Sequence, residues 1–352
     1  MNINVNFLKK NNIKFSTKKF FLFILLVILY LNIFYTIRLR NKLNLSISFT
    51  LIYRELFFAT RNKKALEPII SSKIFNYSLK EKKGVCLCAI CKNEKLYILE
   101  FVQYYQKLGY KKIVIFDNND INGEKIDRIL KYYISNNFVE IIDVRGLGKI
   151  QIAAYNYCFE KNYNLYDWIS FFDIDEFLYI KNNLNINNYI YNERFQKCQS
   201  IILSSKICND NGLERYDSRP LNERFRNCKK RQIHVKSIVR GKIQKQYFPS
   251  AHIPAINLNY FCDSNGKRIF PKSLTKYDFS NNNEYFAYIK HFYAKTAEEF
   301  CVKLKRGGGE AKVNEYLKKG LKYFFVINNI TKNKIKILEE CTKVNITELI
   351  NK

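Results

Sequence analysis

The feature that most constrains the fold is a regular alternation of short apolar runs and amphipathic stretches over residues 84–180. The run "VCLCAIC" has the length and composition of a buried strand, and apolar residues at helical spacing follow it until Gly109. "KIVIF", a helix-like stretch at 123–135, "FVEIIDV", a helix at 151–160 and "WISFF" come next. Strands that alternate with helices predict right-handed crossovers and an α/β fold with a mostly parallel, Rossmann-like sheet flanked by helices.

Polar residues stand where three of these strands end. They are the "KNE" of residues 92–94, the "DN" of 117–118 and the "DID" of 173–175. In parallel sheets, ligands bind in the crevice outside the carboxyl ends of the strands. The pattern therefore predicts that the three clusters meet at one edge of the sheet and form a binding site there.

The third cluster, in "SFFDIDEFLYI", is unusual because it crowds Asp173, Asp175 and Glu176 together in a basic chain. If the strand continued, Asp173 and Asp175 would project to the same side and Ile174 would point into the core. Two such carboxylates repel each other unless a cation lies between them. Mg²⁺ and Mn²⁺ prefer oxygen ligands, commonly one or two carboxylates plus substrate phosphates. The cluster predicts a divalent-metal site, and the alternative is a polar strand end at a turn.

Composition limits the classes of protein and of partner. A chain of 352 residues with 47% hydrophobic side chains is long and apolar enough for a packed core. The formal charge of +29 favours anionic partners. The lysines are nevertheless spread along the chain among abundant Asn and Ile, which favours a coding bias over a nucleic-acid surface. We therefore expect no nucleic-acid partner.

The ten cysteines show no zinc-binding spacing. Cys86, Cys88 and Cys91 lie within the first apolar run, where cysteine usually serves as a small core residue. We interpret these three as core residues rather than metal ligands. Pairing among the ten cysteines cannot be read from their spacing.

Residues 20–37 form the longest apolar run, "FFLFILLVILYLNIFYTI". At about 1.5 Å per residue, a helix of this length just spans a hydrocarbon core of ~30 Å. The run is long for a signal peptide, and no small-residue cleavage site follows it. Positive charge is heavier before the run than after it, which places the N-terminus in the cytoplasm. The run predicts a single-pass membrane anchor.

Several motifs in order resemble glycosyltransferase family 92 and its family-2-like bacterial relatives. They are "CAICKNEKLYILEFVQYYQKLGYKKIVIFDNND", the glutamine at 151, "YDWISFFDIDEFLYI" with its DXD motif, "YDSRPLNERF", "KSIVRG" and "IKHFYAKTAEEFCVKLKRG". The resemblance implies a GT-A fold, with a nucleotide-binding half and an acceptor half on one continuous sheet. The predicted organisation is an N-terminal tail at 1–19, an anchor at 20–37, a stem at 38–83, a GT-A domain at 84–310 and a helical tail at 311–352.

The same resemblance implies a metal site. Asp173 and Asp175 would hold Mn²⁺, or Mg²⁺, against the diphosphate of a nucleotide sugar. His291, in "IKHFYAKT", would supply a late histidine ligand, and its alternative role is to cap a strand as a partly buried side chain. His234 and His252 are weaker candidates, because neither has a partner at ligand spacing.

The resemblance also implies the residues that bind the nucleotide sugar. Asp117 would face the nucleoside, with Asn93 and Glu94 beside it. Gln151 and Asp173 would complete this group.

The resemblance implies an inverting enzyme, which needs a general base that deprotonates the acceptor hydroxyl. Glu223, in "NERF", is the preferred base and Asp217 the second choice, with Asp210 and Glu214 as further carboxylates in the same region. The alternative for Glu223 is a salt bridge with Arg224 or a neighbouring arginine. Cationic residues in the region are interpreted as solvated surface groups, and their alternative role is to meet phosphate or acceptor. They are Arg219, Arg224 and Lys236.

The predicted function is that of a membrane-anchored, metal-dependent hexosyltransferase. It would move a hexose, with galactose as the first candidate, from a UDP-sugar or related donor to a glycan acceptor by a single in-line displacement. The predicted location is a Golgi type II membrane protein in a eukaryote or a cell-envelope membrane protein in a bacterium. Two alternatives remain: a membrane-tethered basic protein that binds acidic lipid or nucleic acid, and a GT-A domain that binds nucleotide without transferring sugar.

Overall fold

The computed structural model of the chain describes residues 83–242, 247–255, 260–270, 286–306 and 313–346. Within these ranges, nine strands form one sheet in the order β3-β2-β1-β4-β7-β6-β9-β5, with β8 paired to β6. The strands are β1 (Val85–Cys91), β2 (Lys112–Asp117), β3 (Val139–Asp143), β4 (Trp168–Phe171), β5 (Glu176–Ile180), β6 (Ser200–Cys208), β7 (Cys228–Arg240), β8 (Phe261–Cys262) and β9 (Ala287–His291).

Helices cover the sheet and form a group at the C-terminal end of the described chain. They are α1 (Lys95–Lys107), α2 (Ile126–Ile129), α3 (Lys131–Ser135), α4 (Gln151–Asn162), α5 (Ile186–Ile190), α6 (Leu221–Arg224), α7 (Ala297–Arg306), α8 (Val313–Ile327) and α9 (Lys332–Thr342). A search of the described residues found no helix long and apolar enough to span a membrane. The predicted tail, anchor and most of the predicted stem lie outside the described residues.

The first four strands confirm the predicted α/β pattern, because β3, β2, β1 and β4 are all parallel. Along β1, Leu87 and Ala89 join the core cluster that includes α1, whereas Cys86 and Cys88 join the cluster that includes α4. Successive strand residues point to opposite faces, so both faces of this half of the sheet are buried. Helix α1 ends just before Gly109, whose φ of +93° is a conformation that glycine adopts readily.

The helix predicted at 123–135 is in fact two short helices, α2 and α3. They meet at Leu130, whose φ of −98° and ψ of 8° depart from helical values. The side chain of Leu130 is fully buried in the main core cluster. The change of direction therefore lets both short helices present apolar residues to the same core.

The second half of the sheet is mixed rather than parallel. β7 runs antiparallel to both β4 and β6, and β9 runs parallel to β6 but antiparallel to β5. The β5–β9 ladder places Glu176 directly opposite His291. A residue that lies far along the chain is thereby brought next to the acidic cluster.

Helices α7, α8 and α9 share a separate apolar cluster. Phe300 and Leu304 of α7 pack there with Phe324 of α8 and Leu338 of α9. A Cβ atom on Gly320 would lie 2.8 Å from Leu304 Cδ2, so glycine allows α8 to approach α7 closely. The boundary predicted at residue 310 falls between helices that pack in one cluster.

Eight of the ten cysteines are paired. The disulfides are Cys88–Cys158, Cys198–Cys262, Cys208–Cys228 and Cys301–Cys341. Cys86 and Cys91 are buried and unpaired, as expected of small core residues, whereas Cys88 is bonded to α4. This bond could not be predicted from the spacing of the cysteines, because its two partners are 70 residues apart in the sequence. Disulfides form and persist in oxidising compartments.

Candidate active site at the carboxyl ends of the parallel strands

The polar clusters that follow β1, β2 and β4 meet at one edge of the sheet, as predicted. The Asn118 amide donates to the carbonyl of Cys91 at 2.9 Å, and the Asn93 amide donates to Asn119 Oδ1 at 2.7 Å. After β4, the Phe172 amide donates to the carbonyl of Cys88 at 3.2 Å. These bonds join the three loops into one surface at the carboxyl ends of the strands.

The acidic cluster lies in a turn and not on a continuing strand. β4 ends at Phe171, and the Glu176 amide donates to the carbonyl of Asp173 at 3.0 Å. The Asp173 amide donates in return to Glu176 Oε2 at 3.0 Å. Ile174 is fully buried, as predicted. The strand does not continue through Asp173 and Asp175, so the alternative of a polar strand end at a turn is what forms, and each carboxylate has its own partners.

Asp173 is the more accessible of the two aspartates, with 34% of its side chain exposed. Its Oδ1 accepts from Gln151 Nε2 at 2.7 Å and from the Tyr155 hydroxyl at 3.1 Å, both on α4. Its Oδ2 accepts from Lys236 Nζ at 2.8 Å. The structure therefore brings Gln151 and Asp173 together, as the sequence suggested.

Asp175 is buried among cationic groups. Its Oδ2 accepts from Lys303 Nζ at 2.7 Å and lies 3.7 Å from Lys295 Nζ, while its Oδ1 lies 3.5 Å from His291 Nε2. Burial opposes ionisation, but Lys303, His291 and Lys295 hold the pKa of Asp175 well below its ordinary value. The carboxyl group is therefore ionised at neutral pH.

Glu176 and Lys236 form a buried ion pair next to Asp173, with Lys236 Nζ 3.0 Å from Glu176 Oε2. Burial raises the pKa of Glu176 to about 7, although the neighbouring Lys236 acts in the opposite direction. The interpretation of Lys236 as a solvated surface group was wrong. β7 carries it inward, where its ammonium group bridges Asp173 and Glu176.

Glu94 lies at the other side of the site and is also buried. Its Oε1 accepts from Arg306 Nη1 at 2.8 Å, and Arg306 also donates to the carbonyl of Lys92 at 2.6 Å. Asp117 is buried too, and its Oδ1 accepts from the Asn119 side-chain amide at 2.7 Å. Its Oδ2 is 3.7 Å from Arg145 Nε. Both carboxylates lie at the predicted edge, each beside an arginine.

The preferred base, Glu223, lies on the short helix α6 and is exposed. The alternative role of Glu223 was a salt bridge with Arg224 or a neighbouring arginine, and Arg224 does not supply it. Instead, Arg224 is buried and donates to Glu299 of α7, at 2.9 Å from Nη1 to Oε2. Arg224 was also expected at the surface, and its burial is explained by this partner.

Asp217, the second choice of base, forms an exposed ion pair with Arg219 at 2.6 Å. Hydrogen bonds from the Arg219 side chain and amide lower the pKa of Asp217 to about 2. A carboxylate with so low a pKa is a poor proton acceptor at neutral pH. Of the two predicted bases, Glu223 is the better suited.

The remaining candidates have structural partners. Asp210 is paired with the buried ammonium of Lys334 at 2.6 Å, and Glu214 accepts from the Thr331 hydroxyl at 2.7 Å. The rings of His234 and His252 lie 5.2 Å apart. Burial lowers the pKa of His252 to about 4, so this ring is neutral at physiological pH.

Arg145, beside Asp117, was not predicted, and neither were three cationic side chains from residues 295–306, namely Lys295, Lys303 and Arg306. All three occur in the motif "IKHFYAKTAEEFCVKLKRG", but in a chain with 60 lysines and arginines none stands out. Only the fold shows that α7 directs Lys303 and Arg306 towards the strand ends.

A divalent cation is compatible with part of this site. A search of the described residues found no group of three His, Cys, Asp or Glu side chains that could hold a metal ion. Asp175 Oδ1 and His291 Nε2 nevertheless lie 3.5 Å apart. Adjacent ligands of an octahedral ion with bonds of ~2.1 Å are about 3 Å apart, and such ions commonly keep waters and substrate phosphates as further ligands. The pair therefore fits an ion that substrate would complete, whereas both Asp173 oxygens are already engaged.

Comparison with known proteins agrees with the motifs. Residues 81–244 match the model of glycosyltransferase family 92. A family 92 protein of Ricinus communis is 28% identical over 109 residues, which cover 31% of this chain and 19% of that protein. A family 92 protein of Arabidopsis thaliana is 30% identical over 105 residues, which cover 28% of this chain and 18% of that protein. Residues 81–244 are thus similar to glycosyltransferase family 92, and the matched part of the chain spans about a fifth of the length of these relatives.

Solved structures give more distant likenesses. Staphylococcus aureus TarS residues 1–349 align with a TM-score of 0.35 and 13% identity, covering 73% of this chain and 70% of that one. The structure of GalNAc-T7 with UDP, GalNAc and Mn²⁺ aligns with a TM-score of 0.26 and 17% identity, and the alignment covers 36% of this chain and 23% of that one.

Proposed function

We propose that the chain is a metal-dependent glycosyltransferase with a GT-A fold. It transfers a hexose, with galactose as the first candidate, from a nucleotide diphosphate sugar such as a UDP-sugar to a glycan acceptor, with inversion. The observation that carries the proposal is the meeting of Asp173, Asp175 and His291 at the carboxyl ends of parallel strands. The family 92 match over the same strands supports it.

The residues of the site have distinct roles in this proposal. Asp175 and His291 would hold Mn²⁺ or Mg²⁺, which supplies positive charge that neutralises the diphosphate leaving group. Asp173, fixed by Gln151 and Tyr155, faces the nucleotide sugar with its exposed edge. The surfaces beside Asn93, Glu94 and Asp117 accommodate the nucleoside.

Proton transfer requires a separate group. Glu223 takes the proton of the acceptor hydroxyl, because it is exposed and its neighbour Arg224 is engaged by Glu299.

We also propose a membrane anchor at residues 20–37 and an oxidising compartment for the rest of the chain. The long apolar run supports the anchor. The four disulfides support a Golgi lumen in a eukaryote or an envelope location in a bacterium.

Calorimetric titration of the full chain in detergent micelles tests the donor site. UDP and UDP-galactose are titrated with and without Mn²⁺ into the parent, Asp175→Ala and the control Asp127→Asn, whose carboxylate is exposed on α2. We expect Mn²⁺-dependent binding by the parent and the control and none by Asp175→Ala. Equal binding by Asp175→Ala would refute the site. Binding of acidic vesicles or nucleic acid in place of any nucleotide would support the basic binding protein instead.

Transfer is then measured by hydrolysis-corrected release of UDP in the presence of glycan acceptors. Release that depends on acceptor and falls in Glu223→Gln supports a transferase. Nucleotide binding without any transfer would indicate a domain that has kept the donor site and lost catalysis.

A further inference from the structure

One short segment, residues 295–306, brings three cations to the carboxylates of the site. Lys303 donates to Asp175 at 2.7 Å, Lys295 lies 3.7 Å from the same carboxylate, and Arg306 is bonded to Glu94 at 2.8 Å. Their side chains are 11%, 6% and 17% exposed, respectively. Burying an ammonium group is costly, so lysines in such positions need anionic partners.

The charges are distributed unevenly between the two sides of the site. On the β7 side, Asp173 and Glu176 share the single ammonium of Lys236. On the α7 side, two carboxylates, Asp175 and Glu94, face three cations. The α7 side therefore has one more positive than negative charge, and an anionic ligand would bind more favourably there.

The two lysines are also held by contacts other than the bond to Asp175. The Lys303 ammonium lies 3.8 Å from the centre of the Tyr293 ring and donates to the Tyr293 carbonyl at 3.0 Å. The Lys295 ammonium lies 4.4 Å from the centre of the Tyr97 ring. A cation–π contact holds each ammonium group, and a carbonyl bond holds Lys303 as well, so both stay in place if Asp175 binds another cation. Each ammonium has three N–H donors, so it is able to serve a ligand as well.

We propose that Lys303 and Lys295 bind the diphosphate of the donor directly and so select a nucleoside diphosphate over a nucleoside. This inference rests on the proposed function, because it concerns the same donor site. Asp175 then holds the lysines in place before substrate binds, and the phosphate oxygens become their partners afterwards. A purely structural Lys303 would instead serve only as the counter-ion of Asp175.

Ligands that differ only in their number of phosphate groups distinguish a lysine that binds the diphosphate from one that serves only as the counter-ion of Asp175. UDP, UMP and uridine are titrated by calorimetry into the full chain with Mn²⁺ present, using the parent, Lys303→Met and Lys305→Met. Lys305 is an exposed lysine on the same helix, which makes it a matched control. We expect Lys303→Met to weaken UDP binding about 10- to 100-fold, which is the worth of a charge-assisted hydrogen bond, and to leave uridine binding unchanged. Lys305→Met should bind all three ligands as the parent does.

Other variants keep the test decisive if Lys303→Met unfolds. Lys295→Met should show the same selective loss of UDP affinity, and Lys303→Arg should retain most of it because the charge remains. Thermal unfolding of each variant identifies those that are folded.

Two results would overturn the inference while the proposed function stands. One is a folded Lys303→Met and a folded Lys295→Met that bind UDP as tightly as the parent. The other is a Lys303→Met that binds Mn²⁺ alone more tightly and UDP unchanged, which would make the lysine a counter-ion only. If the parent binds neither UDP nor another nucleoside diphosphate such as GDP in the presence of Mn²⁺, the proposed function and the inference both fail.

Discussion

The two sides of the site come from regions of the chain that differ in how they are built. Residues 85–176 form parallel strands and crossover helices, and their site residues stand where the strands end. Residues 287–306 contribute β9, which lies between β6 and β5, and α7. Most of their site residues lie on α7 or in the loop just before it. The first region owes the position of its polar groups to backbone register, and so does His291, whereas Lys295, Lys303 and Arg306 are held by side-chain ion pairs.

This difference affects what each region tolerates. The strand region is anchored by hydrogen bonds between main-chain groups, which survive most single substitutions. The 287–306 segment is anchored by buried charges, and removal of one partner leaves the other unpaired in a desolvated place. Substitutions that remove these buried charges should therefore lower the free energy of unfolding more than single substitutions in the strand region do.

The largest expected effect on stability comes from Glu299→Ala. This change leaves Arg224 buried without its carboxylate and also removes an acceptor from the Tyr97 hydroxyl. Breaking a buried ion pair on one side costs about 3–5 kcal/mol, and urea unfolding of the full chain measures the loss. Asp217→Ala is the matched control, since its pair with Arg219 is exposed. Equal losses in the two variants would contradict the account.

The next effect concerns the disulfide that joins α7 to α9. Replacing Cys301 and Cys341 together by Ser removes a cross-link between residues 40 apart and should cost ~2–4 kcal/mol of unfolding free energy. Cys86→Ala, which removes one buried unpaired sulfur, should cost only about 1 kcal/mol. The comparison is made by urea unfolding without reductant, and a larger loss in Cys86→Ala would show that the bond does not support α7.

Binding should also distinguish the two aspartates. Asp175→Asn removes a buried charge that faces Lys303, Lys295 and His291, and we expect UDP affinity with Mn²⁺ to fall by about 100-fold or more. Asp173→Asn should lower it by about tenfold, because that side chain is one-third exposed and the amide still accepts from Gln151. Calorimetry gives both values, and the reverse order would make Asp173, beside Lys236 of β7, the essential carboxylate.

The smallest effect tests the exclusion of Asp217 as the base. NMR titration should find its pKa near 2, and Arg219→Ala should return the pKa towards the ordinary aspartate value. Because the folded pKa is lowered, the stabilisation from this pair is present above the unfolded pKa and is lost as pH falls through the folded one. A pKa of Asp217 unchanged by Arg219→Ala would assign the low value to another cause.

The sequence predicted the strand region closely because strands and helices there follow simple apolar periods. β1, β2 and β4 and the meeting of Asn93, Asp117 and Asp173 were all foreseen. The sequence left open whether the strand continues or turns at residues 173–175, because where a strand stops depends on partners such as Glu176 that act through space.

The residues that line the other side of the site were harder to predict from the sequence. His291 was proposed from a motif, and its place beside Asp175 depends on the β5–β9 register. Lys295 and Lys303 carry no local signal, since nothing in a helical period distinguishes a lysine that turns inward from one in solvent. Disulfide partners were hidden for the same reason, as they are set by tertiary contacts.

Manganese anomalous diffraction from crystals of the full chain grown with UDP and Mn²⁺ tests the central claim most directly. The account predicts one strong peak within ~2.2 Å of both Asp175 and His291, with the diphosphate on the α7 side of the ion. A peak bound elsewhere, or UDP bound away from the carboxyl ends of β1, β2 and β4, would contradict it.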